Sequence, residues 1–142
     1  MADDDAQKKI AEIEARRAAR KAATAKERQE QYAKDVAAVD GIEQTEGDDR
    51  VRVLTVPSFV MSLPTVVVVK TPTPGQFNRF RQMVRKAGNN TEAIGAAKDL
   101  LAASCIAYPD EETYGRMKEA WPSIHDNAGV EAISLGEAGG KD

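Results

Sequence analysis

The chain has 142 residues, 42% of them apolar and only 5% aromatic, so it has room for one core, built mainly from Val, Ile, Leu and Ala. Charged residues make up 30%, with both signs present and a net charge of −3, which weighs against a protein devoted to nucleic acid or to an anionic membrane. A lone cysteine, Cys105, excludes an internal disulfide and a multi-cysteine metal site, and it suits a reducing cytosol. The opening MADDDAQKK has no apolar stretch behind it, so no secretory signal is expected. The longest strongly apolar run, Thr65 to Val69, is far too short to cross a bilayer.

Residues 1–40 are dominated by Ala, Glu, Lys, Arg and Gln without Gly or Pro, which predicts a long charged helix with Asp3, Asp4 and Asp5 at the positive end of its dipole. Its large apolar residues are Ile10, Ile13, Tyr32, Val36 and Val39, too few in the middle for a sustained coiled-coil seam. A solvated helix follows, sticky at both ends and energetically separable from what comes next. Residues 41–49 (GIEQTEGDD) read as an acidic linker. Arg50 to Val56 then alternates, with Val51 and Val53 on one face and Arg50 and Arg52 on the other, as a half-exposed strand does. The loop Pro57 to Pro64 precedes the β-branched run TVVVVK, a buried strand that pairs antiparallel with the first.

From Thr73 the period becomes helical. Thr73, Pro74 and Gln76 supply an N-cap, a first-turn proline and a capping-box partner for a helix carrying Phe77, Phe80 and Val84. Asn90 or Thr91 starts a second helix with Ile94, Ala97, Leu101, Ser104, Cys105 and Tyr108 on its inner face. Asp110 caps a third, carrying Tyr114, Met117 and Trp121. Ser123 with Asp126 begins a fourth, carrying Ile124, Ala128 and Leu135, with Gly136 as its stop. Residues 50–136 therefore form one unit, and residues 137–142 a disordered tail. The fold class is α+β, mostly helical: a long N-terminal helix, a β-hairpin, then a bundle of four short helices.

No enzyme is expected, and so no catalytic residue. Cys105 and His125 are the only thiol and imidazole, but Cys105 falls on an apolar helical face, where a cysteine acts as a small hydrophobe. The acids at Asp3–Asp5 and Asp110–Glu112 sit at helix starts without calcium-loop spacing, and no glycine-rich phosphate cradle is present, so neither metal nor cofactor is expected. The basic run Arg16 to Lys21 is flanked by Glu12, Glu14, Glu27 and Glu30 and lacks interleaved aromatics, which favours a solvated face over nucleic acid. The loop PSFVMSLP stands out. Phe59, Val60, Met61 and Leu63 lie between prolines, and they either fold back onto the helices or form an apolar contact for a partner.

The order of elements from Arg50 onward resembles the tail assembly chaperones of long-tailed bacteriophages. The resemblance is carried by Val68–Thr73 (VVKTPT), a helix opening with Phe77 and Phe80, the string Cys105 to Asp110, Trp121-Pro122, and the closing Leu135-Gly136. It implies a non-catalytic role in the host cytoplasm: binding the tape measure protein, keeping its apolar helices soluble and aiding polymerisation of tail tube subunits, with self-association expected. The alternative is a structural component of the virion, a head–tail connector or internal head protein docked on neighbouring subunits. A small nucleic-acid-associated adaptor using the basic helix is a third reading.

Overall fold

The computed structural model describes residues 2–57, 60 and 62–139. Helix α1 spans Ala2–Glu46 and is followed by strands β1 (Val51–Thr55) and β2 (Val66–Lys70). Helices α2 (Pro74–Ala87) and α3 (Thr91–Ser104) come next, then strand β3 (Ile106–Tyr108) and helices α4 (Glu111–Ala120) and α5 (Ser123–Gly139). The fold is α+β and mostly helical, as the sequence predicts, with four short helices after the hairpin.

Helix starts follow the chemistry of the first turns. Thr73 accepts from the Gln76 amide while the Gln76 side chain accepts from the Thr73 amide, a complete capping box. Asn90 caps α3 through the Ala93 amide. Asp110 caps α4, accepting from both the amide and the hydroxyl of Thr113, and these bonds hold its carboxyl below the usual range.

Three expectations about boundaries are corrected. The acidic stretch 41–49 is not a linker throughout, since α1 continues across Gly41 to Glu46. A single helical glycine costs only about 1 kcal/mol, which neighbouring helix formers and the packing of Ile42 offset. The break comes at Gly47, whose φ of 98° lies where a side chain is strained, and a 3-10 turn over Asp48–Arg50 leads into β1. Gly136 is not a stop, because α5 runs on to Gly139. The position is buried, and a Cβ there would come within 2.5 Å of the Phe77 ring, so the glycine is a notch that lets α2 and α5 approach. The tail therefore does not begin at residue 137; residues 140–142 lie outside the described residues.

The sheet has the order β1-β2-β3, all antiparallel, with Val53 opposite Val68 and Leu54 opposite Val67. Its third strand was not expected. The register slips between Val68 and Val69 where β3 pairs, so Ile106 lies opposite Val69 and Tyr108 opposite Val68. That irregularity sends Ile106 toward the helical core and Tyr108 to the other face. Val67 and Val69, fully buried, join Phe77, Leu101, Cys105, Met117, Ala128 and Leu135 in the core on the helical side. Val68 alternates with them and faces α1, which crosses the opposite side of the sheet.

The C-terminal half of α1 is thus part of the folded body, contrary to the expectation of a separable helix. Its less exposed positions, Glu27, Gln31, Asp35, Ala38 and Ile42, recur at helical spacing and turn toward the sheet. Asp35 is only 1% exposed. Its carboxylate accepts from Gln31 Nε2 at 2.9 Å and Tyr108 Oη at 2.7 Å on one oxygen, and from the Thr65 amide at 2.9 Å and hydroxyl at 2.5 Å on the other. A buried carboxylate is tolerated only when its lone pairs are filled in this way. Burial, then the bond to Asp35, pushes the Tyr108 phenol well above its ordinary range. By contrast, Asp3 to Ala23 is exposed throughout, a helical spar of roughly 30 Å that none of the other described residues covers.

Candidate functional site

Cys105 and His125, the single thiol and the single imidazole, are both tied into the packing of the helices. Cys105 closes α3: its amide donates to the Ala102 carbonyl, its own carbonyl accepts from the Lys70 amide, and its side chain is fully buried. Burial raises its thiol pKa, so the thiolate needed for nucleophilic work is disfavoured. His125 is bonded through Nδ1 to the Tyr114 hydroxyl at 2.7 Å, and its Nε2 lies 3.8 Å from Asp99, an ion pair only when the imidazole is protonated. Burial, reinforced by Asp99, pushes Tyr114 up to about 12. Among the described residues, no group of three or more His, Cys, Asp or Glu is arranged to hold a metal ion. Among them also, no helix is long and apolar enough to cross a membrane.

The loop residues proposed for partner contact divide. Leu63 is buried at 6% exposure and packs into the core, so its assignment to a partner surface is corrected: its amide bonds the Val60 carbonyl in a turn that points the side chain inward. Val60 is exposed. Phe59 and Met61 lie outside the described residues.

Two open apolar grooves stand on opposite sides of the sheet. The first, of about 580 Å³, lies among α2, α3, β3 and α4. Phe80, Met83, Leu100 and Ile106 supply its apolar lining, Leu101 is buried beneath it, and Arg79 and Lys118 bring positive charge against the single acid Glu111. Leu100 is 46% exposed although its neighbour Leu101 is in the core. Two adjacent leucines on a helix point about 100° apart, so one of them had to leave the core face, and that pair was the signal the sequence offered. Phe77 stacks on Phe80 with centroids 5.9 Å apart and carries Arg81 on its ring, which fixes this wall of the groove.

The second groove, of about 950 Å³, lies between α1 and the β1 side of the sheet. Tyr32, Val36 and Val39 line it from α1, and Val53 and Val66 from the strands. Tyr32 is 63% and Val36 48% exposed, so α1 covers only part of the sheet face. The basic run Arg16 to Lys21 lies on the free half of α1, fully in solvent, where a pair such as Arg16–Glu12 at 3.7 Å contributes little.

Comparison with protein-family models, curated proteins and solved structures returned no match for the chain.

Proposed function

We propose that the chain is a non-catalytic phage morphogenesis protein that acts as a tail assembly chaperone, holding the tape measure protein and aiding assembly of the tail tube. The observation that carries this reading is the α2–α3–β3 groove. An apolar trough with two cationic side chains and one acid, Glu111, at its margin suits one face of an amphipathic helix, whose apolar side chains would fill it while flanking acids meet Arg79 and Lys118. Among the described residues no other segment occupies the trough, and Met83 gives its wall the adaptability that a chaperone needs for varied client turns. The resemblance from Arg50 onward supplies the identity of the client.

The test is co-expression with a tape measure protein. The parent should co-purify with it, and Leu100→Asp, at an exposed position, should lose the client while far-UV circular dichroism stays unchanged. Retention of the client by Leu100→Asp would move the site elsewhere. The second reading, a virion component, draws on the free half of α1, a shape suited to docking along neighbouring subunits. Mass spectrometry of purified particles separates the two. A chaperone is absent from them, whereas a structural subunit is present in stoichiometric amount.

A further inference from the structure

We infer that the groove between α1 and the sheet is the seat of the first half of α1 from a second copy of this chain, the two long helices running antiparallel. Along the α1 wall of the groove, which also carries Ala25, Arg28, Asp35 and Asp40, the residues Gln29, Tyr32, Val36, Val39 and Glu43 form one stripe at spacings of three and four. The same spacing continued toward the N-terminus meets Ala25, Ala22, Ala18, Ala15 and Ala11 without interruption. One half of the helix thus carries a bulky stripe and the other half a slim one, in a single register. Laid antiparallel, Ala18 of one copy meets Val36 of the other, Ala22 meets Tyr32, and Ala15 meets Val39. Each small residue faces a large one, and the two-fold axis makes every pair twice. A helix presenting only alanines can sink deep enough to reach Val53 on the floor, which a helix of leucines in that seat would not do.

Charge selects the same arrangement. Residues 8–28 hold eight Lys and Arg against three Glu, and residues 29–46 hold five acids against one lysine. A parallel pair would set like halves together, whereas the antiparallel pair sets the basic half of each helix along the acidic half of the other, with Asp40 and Glu43 at the groove. The exposure of Asp3 to Ala23 in the single chain leaves that half free to make this contact. The assignment is separate from the client groove on the far side of the sheet and stands without it.

Sedimentation of the full chain alone, at tens of micromolar, tests the inference. A particle of twice the 15.4 kDa chain mass is expected. Val36→Glu and Ala18→Glu should each raise the dimer dissociation constant by more than about tenfold, while Ala19→Glu, one step off the stripe, should leave it unchanged. Far-UV circular dichroism verifies that each variant is folded. A chain carrying both Ala18→Cys and Val36→Cys should oxidise to a covalent dimer, and Ala18→Cys alone should not. A monomeric parent overturns the inference and leaves the groove to a different protein. Cross-linking by Ala18→Cys alone overturns it in favour of parallel helices.

Discussion

Replacing Asp35 by alanine should unfasten α1 from the sheet, and the size of the effect follows from what the carboxylate holds. Its removal leaves the Thr65 amide and the Tyr108 hydroxyl without their acceptor, while the Thr65 hydroxyl can rotate to another acceptor and Gln31, nearer the surface, can turn to water. Each orphaned donor costs about 1–3 kcal/mol when water cannot replace the partner. Thr65 and Tyr108 are half-buried, so the lower part of that range applies and the sum is about 2–3 kcal/mol. For a chain of this length 1 kcal/mol corresponds to roughly 3–4 °C, and the midpoint of thermal unfolding should fall by about 6–12 °C. Asp35→Asn keeps the shape but turns an amide NH₂ toward donors, and about half that loss is expected. Lys34→Ala, on the exposed side of the same turn, should shift stability by no more than about 0.5 kcal/mol. Deleting residues 1–40 removes the same acceptor together with Ala38 and Val39, so it should cost at least as much as Asp35→Ala. The assay is far-UV circular dichroism against temperature at one fixed protein concentration. If Asp35→Ala melts within about 2 °C of the parent, the carboxylate does not anchor the helix, and the argument from filled lone pairs fails.

Other expected outcomes test separate parts of the fold. Gly136→Ala brings a methyl into the Phe77 ring, with a loss of about 1–3 kcal/mol in denaturant unfolding; a neutral change would show that the notch is not needed. The Cys105 thiol, buried and with its pKa raised, should react with a thiol reagent only as fast as the protein unfolds, and rapid labelling of the folded state near neutral pH would contradict its place in the core. Tyr114 is held protonated by the fold, with its pKa raised from the ordinary 10.0 to about 12. A group whose folded pKa is raised contributes its stability in full below the unfolded value and loses it as pH rises through the folded one. Stability should therefore decline between about pH 10 and pH 12, and more shallowly in Tyr114→Phe, as denaturant midpoints across that range would record.

How much of this was legible in the sequence depends on the range over which each signal acts. Caps were legible because Thr73 with Gln76, Asn90 and Asp110 act within three residues of themselves. The hairpin was legible from alternation at Val51 and Val53 and from the valine run. β3 was not: three residues after a helix, ending in a tyrosine at helical spacing from Leu101, carry no local mark of a strand, and their pairing with Val68 and Val69 is a long-range event. Asp35 was hidden among the acids and bases of α1, since nothing within a few residues of it shows that Tyr108 will arrive. Leu63 misled because two flanking prolines imply an open loop, while the turn that closes on Val60 is set by tertiary packing. Glycine misled twice, at Gly41 and Gly136. Its permissive backbone is a boundary signal only when the chain needs positive φ, as at Gly47.

The bond between Asp35 and Tyr108 joins residues 73 positions apart. During synthesis at about 5–20 residues per second, several seconds to a quarter of a minute separate the emergence of the two. Thr65 and the β1–β2 hairpin emerge within that interval, but until Tyr108 follows, the sheet lacks its third strand and the Asp35 carboxylate lacks the phenol that caps its second oxygen. The newborn chain therefore holds α1 to its sheet less firmly than the finished protein does, and the last strand to form is the one that completes the attachment.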